Sequence, residues 1–363
     1  MLSLTSVLFL PLVGNWFLNQ GHWWLCIFLR AFAISFLMVP LTIVAAKRYG
    51  VMDMPDKRKL HAKPMPRLGG LAILVAVLLS TVRYAPESFP LAALLAGGAA
   101  LFVLALVDDA RGLSATLRLA VQVGICLLIL YSGISLRVFP DILPGHEWLN
   151  GLTTIVWVIG LLNAVNFLDG IDGLTGGLGL LCACVFLAIG WQTRQSHLAL
   201  LTAALAGACL GFLPYNWHRS VTFLGDSGST LIGFFLASIA VWGSWSAGNP
   251  VVSFSTPLLI LAIPIFDMTY TTISRIKNGQ VRTVKQWLDY TGKDHLHHRL
   301  MSLGMTQPQA ATFILIIHLI LGLGAFLIRM EGSPTGAWLH VIQSILILLV
   351  ISLLMLLGRE RAK

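Results

Sequence analysis

Long apolar stretches separated by short polar segments dominate the pattern of this chain. A transmembrane helix needs roughly 20 predominantly apolar residues, and eleven stretches approach that length. They are Trp23–Ala46, Leu68–Tyr84, Pro90–Val107, Leu117–Ile134, Gly151–Leu168, Leu174–Trp191, Leu198–Leu213, Gly228–Trp245, Thr256–Ile276, Pro308–Ile328 and Trp338–Leu357. The pattern predicts an all-α polytopic integral membrane protein with about eleven transmembrane helices.

A further apolar segment, residues 1–20, precedes the first of these spans. Within it Leu2–Leu18 is a candidate for a twelfth span, although a proline, a glycine and an asparagine interrupt it. The segment lacks the basic n-region of a cleavable signal peptide. We therefore interpret it as an addition to a single membrane domain comprising residues 1–363.

The composition supports the membrane interpretation. Hydrophobic residues make up 57% of the chain and charged residues 11%, whereas soluble domains carry about 25% charged residues. A water-facing surface would need more polar side chains, so most of the chain must face lipid. All five cysteines lie in apolar runs, which favours buried, reduced thiols over a redox or metal-binding role.

The basic residues are distributed unevenly between the two sides of the predicted bundle. Of the 24 Lys and Arg residues, 19 fall in alternate loops and near the C-terminus, and the positive-inside rule puts that side in the cytoplasm. Residues 47–67 and 276–305 then form two long cytoplasmic loops. We expect the net charge of +9 to attract anionic membrane lipids and anionic substrates. We expect no nucleic-acid partner.

Acidic residues cluster at the ends of spans on this same side. The clusters are Asp108 with Asp109, Asp169 with Asp172, Asp226, and Asp294. A lone aspartate could simply mark a helix end, but adjacent carboxylates repel each other unless a cation or an arginine compensates them. Oxygen-rich clusters suit Mg²⁺, with Mn²⁺ as a substitute, and do not suit zinc. The set predicts an active site on the cytoplasmic face.

Basic side chains on the same face would complete a site for a diphosphate. They are Lys63, Arg67, Arg118, Arg299, His295, His297 and His298. A metal ion together with such side chains can neutralise the charge that develops during phosphoryl transfer. For the three histidines a solvated basic loop is an equally good interpretation, since H-x-H-H alone is not a metal-binding spacing.

Five segments occur in a characteristic order along residues 47–304. They are P-R-L-G-G at 66–70, the aspartate pair, N-x-x-N-x-x-D-G-x-D-G at 163–173, F-x-G-D-x-G-S at 223–229 and H-x-H-H at 295–298. In this order they resemble the polyprenyl-phosphate N-acetylhexosamine-1-phosphate transferases. The resemblance implies an Mg²⁺-dependent enzyme of the bacterial cytoplasmic (inner) membrane, with a homodimer as one option.

The implied reaction transfers a sugar-1-phosphate from a UDP-N-acetylhexosamine to undecaprenyl phosphate and releases UMP. It would initiate a lipid-linked surface glycan such as O-antigen. Where the peptidoglycan branch of the family has T-P-T-M-G-G and three successive histidines, this chain has M-P-R-L-G-G and H-L-H-H. Both departures point to a plain UDP-N-acetylhexosamine, with N-acetylglucosamine as the first guess, although the stretch Val281–Lys293 leaves the sugar open.

The resemblance also implies roles for individual residues of the donor site. Asp226 would bind Mg²⁺, with Asn166 close to the metal and the diphosphate. Phe223 would stack on uracil, and Asp169 and Asp172 would hold the nucleotide.

The remaining implied roles concern the lipid acceptor and the sugar phosphate. Asp108 and Asp109 would lie near the lipid phosphate, with Asp108 the better candidate for a base, and Arg118 would contact phosphate. Lys63 and Arg299 are expected to bind substrate through their charge. The residues expected to hold the sugar phosphate are His295, His297 and His298.

Two alternatives remain open at this stage. A direct displacement is favoured because no residue stands out as an activated nucleophile, but a covalent aspartyl intermediate is the other route. A transporter is the competing class, and it would need ionisable residues at mid-membrane. The middles of the predicted spans are nearly free of charge, with Asp267 the main exception.

Overall fold

The protein is a bundle of helices with one short sheet. The computed structural model describes residues 22–55, 63–246, 248–283, 286, 292, 294–331 and 334–361. The helices of these residues are α1 Trp23–Tyr49, α2 Gly69–Thr81, α3 Phe89–Arg111, α4 Ala115–Tyr131, α5 His146–Leu168, α6 Leu174–Gln192, α7 Ser196–Asn216, α8 Gly225–Trp242, α9 Pro250–Ile260, α10 Ala262–Lys277, α11 Leu296–Ser302, α12 Gln307–Glu331 and α13 Pro334–Arg361. A 3₁₀ helix, Val82–Glu87, follows α2, and strands β1 Met52–Asp53 and β2 Met65–Pro66 lie between α1 and α2.

Each of the eleven predicted spans overlaps a helix of the structure, and the all-α polytopic membrane fold is confirmed. Among the described residues, seven helices are long and apolar enough to cross a bilayer, and the bent pair α9–α10 would make an eighth. Helices α2 and α4 are apolar but shorter. The segment 1–20 lies outside the described residues.

The helix ends follow local sequence signals. The side chains of Ser88 and Ser114 accept hydrogen bonds from the backbone N–H groups of Leu91 and Leu117, which caps α3 and α4. Such caps satisfy donors that the first helical turn leaves unpaired. Gly112 ends α3 in the left-handed conformation, which a glycine adopts without strain.

The predicted span Thr256–Ile276 is not one straight helix, because the chain bends by 77° between α9 and α10. Pro264 has no N–H group and cannot bond the carbonyl four residues earlier, which breaks a helix. That carbonyl, on Ile260, lies 3.4 Å from the Sγ of Cys182 and accepts its thiol hydrogen instead. The break redirects α10, which carries Asp267 and Arg275 to the site described below.

The core is built around α8, whose residues are almost all buried. Helices α2, α3 and α5 pack against it, so the residues that precede α8 are held from several sides. Helix α1 packs closely on α7, where the glycines at 207 and 211 face backbone atoms of Phe28 and Phe32. These close approaches depend on the absence of a Cβ.

The two predicted long loops contain regular structure. In the first, β1 and β2 pair antiparallel, with Met52 opposite Pro66 and Asp53 opposite Met65. In the second, α11 carries the H-x-H-H motif. Residues 56–62 and parts of 284–293 lie outside the described residues.

Gly207→Ala should destabilise the bundle. A Cβ at this position would collide with the carbonyl oxygen of Phe28, so α1 and α7 would have to separate, at a typical overpacking cost of about 1–3 kcal/mol. Thermal unfolding in detergent measures the effect. Gly124→Ala is the matched control, since nothing lies within 4 Å of a Cβ there. Equal unfolding temperatures for the two variants would contradict the close packing of α1 on α7.

Candidate active site

Two of the sequence motifs are held together by backbone hydrogen bonds. Phe223 donates its N–H to the carbonyl of Pro66 at 2.8 Å, and Gly70 donates to the carbonyl of Leu224 at 2.9 Å. Gly225 has a φ of +74° and lies against the carbonyl oxygen of Arg67, a position that a side chain would obstruct. The segment 65–70 and the turn before α8 therefore form one unit.

A cavity of about 630 Å³ opens beside this unit. Besides Arg67, five of the sequence-predicted residues line it, namely Asp169, Asp172, Phe223, Asp226 and His298. They come from the ends of α5 and α8 and from α11, which are far apart in the sequence. A cavity of this size falls within the range of small-molecule sites.

Asp169 and Asp172 occupy the turn between α5 and α6. Asp172 accepts hydrogen bonds from the hydroxyl of Ser220 at 2.8 Å and from its backbone N–H at 3.3 Å. Burial raises the pKa of Asp169 to about 7, and the nearby carboxylates of Asp226 and Asp172 add to the rise. An added cation or hydrogen-bond donor would therefore be stabilised at this carboxylate.

Arg67 connects three carboxylates at one edge of the cavity. Its Nη2 donates to Asp109 Oδ1 at 2.5 Å and lies 3.8 Å from Asp226 Oδ1, and its Nη1 lies 3.8 Å from Asp53 Oδ1. Both Arg67 and Asp109 are largely buried, whereas the Asp226 side chain is 64% exposed. The cavity therefore presents the Asp226 carboxylate to solvent or to a ligand.

Asp108 points to different partners from its neighbour Asp109. One oxygen accepts the backbone N–H of Leu113 at 2.7 Å, and the other accepts Nη1 of Arg118 at 2.9 Å. The two carboxylates of the pair thus have separate cationic partners, which relieves their mutual repulsion. Asp108 and Arg118 join the end of α3 to the start of α4, and neither residue lines the main cavity.

His295 belongs to a buried ionic network. Asp267 accepts from its Nδ1 at 2.6 Å and from the backbone N–H of Leu296 at 2.6 Å. Arg275 donates to both carboxylate oxygens of Asp294 at 2.7 Å, and its Nη2 lies 3.2 Å from His295 Nε2. This network fixes α11 to α10, and His295 does not line the cavity.

His298 lines the cavity, and the ring of His297 lies beside it, with the two ring centroids 4.2 Å apart. His297 is buried under Gly170, where a Cβ would collide with its Nε2, and neither of its ring nitrogens has a hydrogen-bond partner among the described residues. Burial, and then the charges of His298 and His295, lower the pKa of His297 well below its usual value. It is therefore neutral at pH 7 and can donate one hydrogen bond.

Three further predicted residues also lie away from the cavity lining. Lys63 is exposed just before β2, and Arg299 packs against Gly358 of α13. The Oδ1 of Asn166 accepts the hydroxyl of Ser229 at 2.5 Å, which ties α5 to the first turn of α8. Asn166 is thus bonded to the helix whose first turn carries Asp226.

The structure adds residues that the motifs did not identify. The cavity lining also includes Asp53, Asn216, Arg219, Ser220 and Gln307. Their sequence signals are weak because each is a single polar residue in a loop or at a helix end. Asp267, which the sequence singled out as an acidic residue inside an apolar span, does not line the cavity and is bound by His295 instead.

The oxygen donors of the cavity fit a hard cation. Asp226 is exposed there, Asp109 shares Arg67 with it, and the described part of the lining includes no cysteine. The described residues contain no closed group of three or more acidic, histidine or cysteine ligands. Mg²⁺ is commonly held by one or two carboxylates together with substrate phosphates, and this donor set matches that arrangement.

Comparison with known proteins identifies the family. The model of glycosyl transferase family 4 matches residues 91–244. The chain is 31% identical over 310 residues to a probable undecaprenyl-phosphate N-acetylglucosaminyl 1-phosphate transferase of Bacillus subtilis, covering 82% of this chain and 84% of that protein. The chain belongs to glycosyl transferase family 4.

Other members of the family show the same level of similarity. A decaprenyl-phosphate N-acetylglucosaminephosphotransferase of Mycolicibacterium smegmatis is 30% identical over 368 residues, covering 91% of this chain and 88% of that protein. The undecaprenyl-phosphate alpha-N-acetylglucosaminyl 1-phosphate transferase of Escherichia coli K12 is 31% identical over 285 residues, covering 75% and 74% respectively. The resemblance inferred from the five motifs is confirmed at the level of the family.

Arg275→Met should strongly destabilise the protein, because it leaves the carboxylate of Asp294 buried without its partner. Breaking a buried ion pair costs about 3–5 kcal/mol. Arg118→Met, which removes the more exposed pair with Asp108, should cost only about 0–1 kcal/mol. Thermal unfolding in detergent compares them, and similar losses for both variants would argue against a buried network.

The same pair has a defined pH dependence. Burial alone would raise the pKa of Asp294, but the hydrogen bonds and charge of Arg275 outweigh it and leave the pKa below the ordinary value. The pair therefore stabilises the fold above about pH 4, where the unfolded carboxyl is ionised, and this contribution is lost as the pH falls further. Arg275→Met should flatten this acid-side change in unfolding temperature.

Proposed function

We propose that this protein transfers N-acetylglucosamine-1-phosphate from UDP-N-acetylglucosamine to undecaprenyl phosphate and releases UMP. The observation that carries the proposal is that residues from four of the five motifs line one acidic cavity. The relatives from Bacillus subtilis and Mycolicibacterium smegmatis, which the chain matches over more than 80% of their length, are named as transferases of N-acetylglucosamine phosphate that act on a polyprenyl phosphate. Such a product would begin a lipid-linked glycan of the cell envelope, such as O-antigen.

The nucleotide donor fits the main cavity. Phe223 lines it and offers an aromatic face for uracil, while Asp169 and Asp172 offer hydrogen-bond acceptors for the nucleoside. Asp226 lies on the same lining, exposed towards the space that the diphosphate would fill. His298, on the opposite element α11, would contact the sugar phosphate, with His297 behind it.

Mg²⁺ would be held by Asp226 and Asp109, with Asn166 supporting Asp226 from α5. When bound, it neutralises the diphosphate and the charge that develops on transfer. Mn²⁺ has similar ligand preferences and would serve as a substitute. Asp226 and Asp109 orient the metal, and Arg67 and His298 add positive charge or hydrogen-bond donors beside it.

The chemistry proposed is a direct displacement. An oxygen of the lipid phosphate attacks the β-phosphorus of the donor, a new P–O bond forms, and the bond from the β-phosphorus to the bridging oxygen breaks as UMP leaves. Asp108 and Arg118, at the junction of α3 and α4, would position the lipid phosphate. Asp108 and Asp109 each accept a hydrogen bond from an arginine. Because this pairing reduces the nucleophilicity of both carboxylates, an aspartyl intermediate is disfavoured.

A transporter fits the molecule less well. Asp267, the acidic residue inside an apolar span, is engaged by His295 and by the backbone of Leu296. It therefore has a structural partner and does not lie in an open pathway. The acidic cavity lies at helix ends, where a nucleotide can enter from water.

The finer topology is also part of the proposal. We infer that the shorter helices α2 and α4, together with α8, cross the bilayer within the bundle, which gives eleven spans. The cavity then faces the cytoplasm of a bacterial inner membrane, as the distribution of Lys and Arg favours.

Asp226→Asn should abolish turnover without unfolding the protein, because a neutral amide cannot replace a charged Mg²⁺ ligand at a phosphoryl-transfer site. Asp141→Asn is the matched control, since that carboxylate is 99% exposed and lies outside the cavity. Transfer rates are measured with purified protein in detergent. Wild-type activity in Asp226→Asn would remove Asp226 from the metal site.

Phe223→Ala should raise KM for the UDP-sugar more than it lowers kcat, since uracil is remote from the bond that breaks. Stacking on a base is worth about 1–3 kcal/mol, so KM should rise roughly tenfold to a hundredfold. Phe254→Ala, at an exposed aromatic side chain of α9, is the control. An unchanged KM would contradict stacking on uracil and would mean that Phe223 only packs against its neighbours.

Single cysteines test the orientation in a cysteine-free background. Cysteines replacing the exposed residues Arg111 and Gln280 should resist an impermeant thiol reagent in intact cells and react after lysis. A cysteine at Asp141, on the opposite side of the predicted bundle, should react in intact cells. Labelling of either of the first two from outside would contradict a cytoplasmic active site.

A further inference from the structure

The side chain of Arg67 lies between the two carboxylates of the proposed metal site. Its guanidinium lies among the carboxylates of Asp53, Asp109 and Asp226, within 3.8 Å of each. Asp109 and Asp226 are the proposed metal-binding carboxylates, and both approach the same nitrogen, Nη2. One positive charge thus compensates several negative charges that would otherwise repel one another.

The backbone of Arg67 is fixed to the loop that carries Asp226. The neighbouring Pro66 carbonyl accepts the N–H of Phe223 at 2.8 Å and the hydroxyl of Thr222 at 3.0 Å. The Arg67 N–H donates to the Val51 carbonyl at 3.3 Å, and its own carbonyl lies against Gly225. The backbone of Arg67 is therefore fixed relative to Asp226, whereas its long side chain has several rotatable bonds through which the guanidinium can move.

The two contacts of Nη2 differ in strength. The bond to Asp109 is short and largely buried, whereas Asp226 lies 3.8 Å away and is exposed. A divalent cation that binds Asp226 and Asp109 would compete with the guanidinium for the same oxygens. The cavity beside Arg67 offers the displaced side chain a place next to the diphosphate, and guanidinium groups bind phosphate oxygens through paired hydrogen bonds.

We propose that Arg67 is a resident counter-cation of the metal site. In the ligand-free protein it holds Asp109 and Asp226 together, and it exchanges this place with the divalent cation when the donor binds. It then turns to the donor phosphates. This inference rests on the proposed metal-dependent transfer. It assigns Arg67 two roles: it weakens metal binding when no donor is bound, and it binds the donor phosphates when the donor is present.

The exchange predicts opposite effects on two ligands. Arg67→Met removes the competing charge, so Mn²⁺ should bind the substrate-free protein about tenfold more tightly, while KM for the UDP-sugar rises. A merely structural role would weaken both. Arg67→Lys keeps the charge and should restore a metal affinity close to that of the wild type.

The affinity of the purified protein for Mn²⁺ can be measured by the electron paramagnetic resonance signal of free Mn²⁺ during titration. Arg219→Met is the matched control, since Arg219 lines the same cavity and its removal should tighten Mn²⁺ binding far less. Unfolding temperatures of all variants verify that each is folded.

The outcomes separate the two proposals. If the wild type binds Mn²⁺ and Arg67→Met binds it no more tightly, the exchange role of Arg67 is wrong and the metal-dependent transfer stands. The exchange role is equally wrong if Arg219→Met tightens binding as much as Arg67→Met. If neither the wild type nor Arg67→Met binds Mn²⁺, the metal site itself is wrong, and the exchange falls with it.

Discussion

The backbone pairing between segment 65–70 and the turn at 223–225 is the constraint on which the rest of the site depends. It joins the first of the five motifs to the start of α8, whose described residues are almost all buried. The pairing needs glycines at 69, 70 and 225, because side chains there would collide with the facing backbone or with Phe212. Through it, Arg67 and Asp226 are brought to the same edge of one cavity.

Charge balance explains how so many carboxylates can share this small region. Arg67 forms ion pairs with Asp109 and Asp226, Arg118 forms one with Asp108, and Arg275 forms one with Asp294. The pKa of Asp169 is instead raised to about 7, chiefly by burial. Arginine-paired carboxylates around the cavity thus hold the fold, whereas under-compensated carboxylates on its lining favour binding of a cation.

The sequence predicted much of the helical architecture because the length of an apolar stretch is a local property. It also predicted that Asp169, Asp172, Asp226 and His298 would meet, because the distribution of Lys and Arg put their motifs on one side of the predicted bundle. The bend at Leu261 was missed because its cause, Pro264, lies inside an apolar run whose length alone suggests a straight span. Composition could not reveal that a buried thiol would take the freed carbonyl.

The histidine motif shows the limit of predicting a site from spacing. His295, His297 and His298 look equivalent in the sequence, but they precede or begin a helix and point in different directions. His295 is held by Asp267 and Arg275, His297 lies under Gly170, and only His298 lines the cavity. Likewise, the contacts of Arg67 depend on the meeting of three segments that are distant in the chain, which no local pattern encodes.

The proposed reaction moves a phosphorylated sugar, and not the sugar alone, to the lipid. Purified protein with undecaprenyl phosphate and Mg²⁺ can be given UDP-N-acetylglucosamine carrying ³²P in the β-phosphate and ³H in the sugar. We expect both labels to enter the organic phase in equal amounts while unlabelled UMP is released. Tritium in the lipid with ³²P retained in soluble UDP, or no label in the lipid at all, would contradict the proposed transfer.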